Sequence, residues 1–129
     1  MPNNTPLQLI ETLVDARNRG EIETVVSCYE KSATIVPNPG KIESGTVALR
    51  EWLAAFAAFK PIFVVLDRQI IESDGIALHY SAWRLNGIDS KAAPFELEGR
   101  TTDVIRQQPD GNWLIAIDNP WGTSLLKPF

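Results

Sequence analysis

At 129 residues with 44% hydrophobic side chains, the chain has enough apolar material for one domain with a substantial core. Its net charge of −4 gives no general attraction to nucleic acid or to an anionic membrane surface. The only cysteine, Cys28, excludes an intramolecular disulfide, and with the lone His79 it makes no metal cluster.

The chain opens on Met1-Pro-Asn-Asn-Thr-Pro6, mostly polar and without a basic start, so it does not read as a signal peptide. No apolar run approaches the roughly 20 residues needed to span a bilayer. A soluble, cytoplasmic single domain over 1–129 is therefore expected. Thr5-Pro6-Leu7-Gln8 has the pattern of a capping box with proline at the first helical position. Leu7, Ile10, Val14 and Arg17 then share one helical face, with Leu9 and Leu13 beside it, and Gly20 ends the helix. Ile22, Val25, Val26 and Tyr29 predict a second, shorter helix. Ala33-Thr-Ile-Val36 is a brief β-prone segment, stopped by Pro37-Asn-Pro-Gly40. A polar loop follows. Leu49, Trp52, Leu53, Phe56 and Phe59 then recur at three-to-four spacing, a third helix that stops at Lys60-Pro61.

The second half reads as β. Ile62 to Glu72 is rich in β-branched residues and ends at Ser73-Asp74-Gly75; Ile76 to Leu85 ends at Asn86-Gly87, with a longer connection after it. Phe95 to Gln107 and Asn112 to Asp118 flank Pro109-Asp110-Gly111, where proline fixes φ and glycine accepts a positive one. Helices segregated before antiparallel strands predict an α+β fold, with the helices on one face of a meander.

Three segments carry a family resemblance: Gly20-Glu-Ile-Glu-Thr-Val-Val-Ser-Cys-Tyr-Glu-Lys-Ser-Ala-Thr-Ile-Val36, Gly45 opening the third helix, and Thr102-Asp-Val-Ile-Arg-Gln-Gln-Pro-Asp-Gly-Asn-Trp113. Together they resemble the nuclear transport factor 2-like superfamily, most closely its SnoaL-like and ketosteroid-isomerase-like branch. The resemblance covers nearly the whole chain. It implies a cone-shaped fold, three helices wrapped by a strongly curved sheet with a cavity at the wide end, and a homodimer packed through the outer sheet face. It implies less about activity, because the fold hosts isomerases, cyclases, dehydratases, epoxide hydrolases and plain binding or assembly modules.

Carried over residue by residue, the steroid isomerase pattern is missing its parts. Pro37, or Asn38 after a one-residue shift, stands in place of the aspartate base. Leu13 replaces the oxyanion-binding tyrosine, and Arg100 replaces the proton-donating aspartate. Proton abstraction beside a carbonyl needs a base and a donor, so the standard isomerase mechanism is not expected, and whether the chain is an enzyme is left open.

The same alignment turns Ala77, His79, Ser81 and Trp83 inward, together with Glu98, Arg100, Thr102 and Val104, and Leu114, Ala116 and Asp118. By the period of two, Tyr80, Thr101, Asp103, Trp113, Ile115 and Ile117 face outward, as an aliphatic and aromatic dimer face. A one-residue bulge would exchange the two sets on its strand. The expected catalytic group is then His79, Arg100 and Asp118. Leu13, Trp52, Phe56, Ser81, Trp83 and Thr102 are the expected ligand-binding residues.

In that group Asp118 is a general base, His79 an acid, base or donor, and Arg100 a carbonyl or carboxylate partner. A purely structural Arg100–Asp118 pair is as good a reading. Three functions remain: a pocket for a small hydrophobic or ring-containing molecule, with isomerase, cyclase or lyase chemistry; a non-catalytic binding module; and a dimerisation or assembly domain. Epoxide hydrolysis is a minor alternative, since Thr102 stands where that branch holds a second carboxylate beside its arginine. No motif calls for a metal, nucleotide or flavin, and no cofactor is expected.

Overall fold

The computed structural model describes residues 3–127. Its first helix, α1 (Pro6–Arg19), starts where Thr5 Oγ1 accepts the Gln8 N–H at 3.1 Å and ends at Gly20, whose φ of 71° lets its N–H return to Ala16 and Arg17. Gln8 reaches back to the Asn4 N–H at 2.9 Å, one residue before the partner that a capping box would use. The second helix, α2 (Ile22–Ser27), is shorter than expected, and Tyr29 is instead the first residue of β1 (Tyr29–Asn38). Tertiary pairing decides this: Tyr29 aligns in parallel with Ile115, whose N–H donates to the Cys28 carbonyl at 2.8 Å. Cys28 itself is buried as a small apolar group, and burial pushes its thiol up to about 11.

The expected polar loop after Gly40 is a strand, β2 (Lys41–Ser44), folded back on β1 as a hairpin. Helix α3 (Thr46–Ala57) follows, then β3 (Ile62–Ser73), β4 (Ile76–Ile88), β5 (Pro94–Gln107) and β6 (Trp113–Asp118). Strand β4 runs through Asn86-Gly87 because Gly87 lies under the Phe95 ring and beside the Phe59 carbonyl, where a Cβ would come within 2.9 Å of both. The turn comes later, held by Asp89 Oδ1 accepting from the Lys91 and Ala93 N–H groups at 2.8 and 2.9 Å. A short 3-10 turn, Gly122–Leu125, closes the described chain.

The fold is α+β: three helices on one face of a curved, unclosed six-stranded sheet of order β2-β1-β6-β5-β4-β3. The sheet is mixed rather than wholly antiparallel, since β1 runs parallel to β6. This follows from the β1–β2 hairpin joining the sheet on the far side of the final strand. The core lies between the layers, with Leu9, Ile10, Val25 and Leu49 from the helices meeting Ile35, Ile105 and Ile115 from the sheet.

Strand parity decides which residues enter the cone. On β4, Ala77, His79, Ser81 and Trp83 point inward and are buried. On β5 the expected parity is reversed. His79 pairs across with Asp103 and Ser81 with Thr101, so Thr101, Asp103 and Ile105 face in, while Glu98, Arg100, Thr102 and Val104 face out. On β6, Trp113 and Ile115 face in rather than out, and Leu114 lies outside. Ile115 pairs with Ile105 but Ile117 pairs with Val104, so Ala116 is an extra, bulged residue. That single bulge turns Asp118 into the cone, where unbroken alternation from Ile115 would have turned it out.

Candidate functional site

Five polar side chains from five elements converge inside the cone. Arg17 comes from the last turn of α1, on the face it shares with Ile10 and Val14. Tyr29 opens β1, His79 and Asp103 are cross-strand partners on β4 and β5, and Asp118 follows the β6 bulge. The Tyr29 hydroxyl donates a short hydrogen bond to Asp118 Oδ2 and accepts from Arg17 Nη2 at 3.2 Å, and the same Nη2 lies 3.7 Å from Asp118 Oδ2. His79 Nδ1 is 3.1 Å from Asp103 Oδ2, and Asp103 Oδ1 accepts the Asn119 backbone N–H at 3.0 Å.

Electrostatics sorts these groups. Burial works against the Arg17 charge, but Tyr29, Asp118 and Asp103 around it outweigh that and tighten its hold on the proton. Burial, reinforced by Asp118, holds the Tyr29 hydroxyl well above the ordinary phenol range, so it acts as a donor. Burial also drives the Asp103 carboxyl well above the carboxylate range, and the neighbouring Asp118 pushes the same way. His79 is driven down to about 4 by burial and then by the Arg68 guanidinium. Burial therefore favours a neutral imidazole on His79 and pushes its Asp103 partner towards the protonated form. We assign the Asp103 proton to its hydrogen bond with Nδ1, which places the imidazole proton on Nε2. His79 Nε2 is buried and has no hydrogen-bond partner among the described residues.

Two neighbouring cavities share Arg17 and Phe63 in their walls. An inner chamber of about 60 Å³ is bounded by Leu13, Ser81, Trp83, His79, Asp103 and Asp118. It can hold a few waters or a small functional group, not a whole ring system. An outer chamber of about 260 Å³ lies towards the ends of α1 and α3, with walls that include Ile22, Val25, Leu53, Phe56 and Lys60. The Arg17 guanidinium stacks 5.0 Å from the Trp52 ring centroid and 5.4 Å from that of Phe63, so it forms the partition.

Of the residues expected from sequence, His79 and Asp118 reach this site, and Leu13, Ser81 and Trp83 line the inner chamber. Phe56 lines the outer one, and Trp52 lies beneath Arg17 in the core. Arg100 and Thr102 do not belong to it. They lie on the outer sheet face, beside Tyr80 and Gly122 in a separate shallow groove, and Arg100 is exposed. The expected Arg100–Asp118 pair does not form; Asp118 takes Arg17 and Tyr29 instead. The aspartate–arginine–aspartate grouping of the epoxide-hydrolase reading is likewise not built from Arg100 and Thr102.

Arg17, Tyr29 and Asp103 were not expected in the site. Two signals for them stood in the sequence. Arg17 shares a helical face with apolar residues only, where a charge needs a buried partner. Turning Arg100 inward on β5 also turns Glu96, Glu98 and Arg106 inward, four charges, whereas the opposite parity buries Asp103 alone. Nothing local marked Tyr29, whose strand is set by its pairing with β6.

Comparison with known proteins agrees with this architecture. The SnoaL-like domain family matches residues 10–114. The chain belongs to the SnoaL-like domain family. Solved structures similar to this SnoaL-like chain include a nuclear transport factor 2-like superfamily protein from Salmonella enterica, with TM-score 0.79, 14% identity and coverage of 95% of this chain and 93% of that one. A function-unknown protein from Mycobacterium tuberculosis gives 0.74, 23% identity and coverage of 86% and 69%. The association domain of the C. elegans CaMKII gives 0.69, 15% identity and coverage of 88% and 89%. At these identities the structural likeness speaks for the fold alone. No curated protein matches the chain. Among the described residues, no helix is long and apolar enough to cross a membrane, and no three acidic, histidine or cysteine side chains group as metal ligands.

Proposed function

We propose that this SnoaL-like chain binds a small hydrophobic, ring-containing molecule inside the cone and acts on it by proton transfer, as an isomerase, cyclase or lyase does. The observation that carries the reading is the pair of buried carboxyl groups on adjacent strands with different partners. Asp118 faces a guanidinium and a phenol, while Asp103 is pushed towards its protonated form beside a neutral imidazole. Two carboxyl groups with different partners are how one site holds a base and an acid together. In this reading Asp118 is the base. His79, its tautomer held by Asp103, donates from Nε2 to an oxygen that gains charge. The ring itself occupies the outer chamber, and Arg17 and Phe63 shift to admit its reacting end to the inner one.

Exchange of the α-protons of 2-tetralone in D2O, followed by NMR, tests this directly. Wild type should exceed the buffer rate, and Asp118→Asn should lower the enzyme's contribution by about 10²–10⁴-fold. A wild-type rate equal to buffer would sink the catalytic reading and leave a non-catalytic binding module.

An assembly role has its own supporting observation. Val64, Ile71, Tyr80 and Ile117 stand exposed on the outer sheet face, 39–54% accessible, where a lone domain would carry polar groups. We propose that this face packs against a second copy as a homodimer, in keeping with an association domain among the similar structures. The buried free thiol of Cys28 suits a reducing, cytoplasmic setting.

A further inference from the structure

The outer chamber has a charge pattern that an apolar ligand does not need. Its lining holds three cationic side chains, Arg17, Arg19 and Lys60, and no carboxylate, on a chain whose net charge is −4. Arg19 is already engaged by Asp15 at 3.2 Å and Glu21 at 4.0 Å. The other two differ. Arg17 presents five donors; its Nη2 meets Tyr29 and Asp118, while its buried Nε has no hydrogen-bond partner among the described residues. Lys60 stands at the rim in a left-handed backbone conformation, φ 49°, between the end of α3 and Pro61. No carboxylate lies within ion-pair distance of it among the described residues. Between these cations the walls are Leu53, Phe56, Ile62 and Phe63, apolar and partly aromatic.

We propose that the outer chamber selects ring compounds bearing a carboxylate or a similar single negative charge. The anion lies between Lys60 and the Arg17 guanidinium, and the rings lie against Phe56 and Phe63. This rests on the ring-binding reading above and names the substrate class for it. An anion on the outer side of Arg17 competes with Asp118 for the same guanidinium. Ligand charge and the partition between the chambers are thereby linked: an anionic ligand draws Arg17 outward and frees the Asp118 carboxylate towards the inner chamber.

Two probes of one shape separate the possibilities, 2-naphthoate and the neutral 2-naphthamide, with dissociation constants measured by NMR titration at low and high salt. The naphthoate should bind about tenfold tighter at low salt and lose that advantage as salt rises. Lys60→Gln, a change at an exposed side chain, should weaken naphthoate roughly fivefold and leave naphthamide unchanged. Equal affinity for the two probes, or indifference of naphthoate to Lys60→Gln, overturns the anion preference while leaving ring binding intact. Failure of both probes to bind overturns the ring-binding proposal with it.

Discussion

The buried cluster gives two acids different partners, and simple substitutions separate them. Asp118 faces Arg17 inside the fold, so Asp118→Asn strands a buried guanidinium and should cost about 3 kcal/mol or more. Burial and Asp118 push the Asp103 carboxyl towards its protonated form, whose amide isostere keeps shape without removing a charge, so Asp103→Asn should cost less than about 1 kcal/mol at neutral pH. Denaturant melts of the two variants check the contrast; equal losses would refute the protonation assignment.

The pH dependence follows with opposite signs. His79, lowered to about 4, binds its proton more readily unfolded than folded, so its contribution is full above its unfolded value near 6.5 and is lost as pH falls towards 4. Asp103 is raised, so its contribution is full below about 3.9 and is lost as pH rises through its folded value. Between roughly pH 4 and 6.5 the two slopes oppose each other. Relative to wild type, Asp103→Asn should therefore lose stability on acidification across that window, and His79→Gln should lose it on alkalinisation. Melts at half-unit pH steps read both slopes.

At the scale of elements, the site depends on how strands sit on one another, and this is where sequence reading stops. Helix α1 was legible to its last turn, because Thr5, Pro6 and Gly20 act locally. The last four strands, β3 to β6, were legible from β-branched runs and turn residues. The inward set on β4 was legible too, since the one register shift beside it inserts Leu66 into β3 and leaves β4 itself unbroken. The β6 bulge at Ala116, the parallel β1–β6 pairing and the β5 parity are products of long-range pairing, and no local propensity records them.

Gly99 is a local residue whose meaning appears only at this scale. It pairs with Trp83, whose indole lies over it and donates from Nε1 to the Pro120 carbonyl at 3.1 Å. A Cβ at Gly99 would come within 2.3 Å of the indole. Gly99→Ala should therefore push the indole off the strand, cost about 1–3 kcal/mol, and shift the tryptophan emission. An unchanged melt and spectrum would show that the indole has room to move.

For the whole molecule, the curved sheet encloses the polar cluster on its concave side and leaves a convex side that one copy cannot cover. The two faces are independent, because alternate residues serve each. Tyr80 and Ile117 point out of the strands that point His79 and Asp118 in. If the proposed dimer forms through this face, placing charge there should separate the copies without touching the site. Tyr80→Lys combined with Ile117→Lys buries two cations against their symmetry mates, a repulsion that a desolvated interface tolerates poorly. Sedimentation should then report a dimer for wild type and a monomer for the double variant, with the His79-dependent pH slope preserved in both. A wild-type monomer would remove the dimer proposal. A dimer that survives both lysines would move the contact elsewhere on the surface. Loss of the pH slope together with the dimer would mean that the cone does not hold its shape alone, and that the convex face supports the site as well as the assembly.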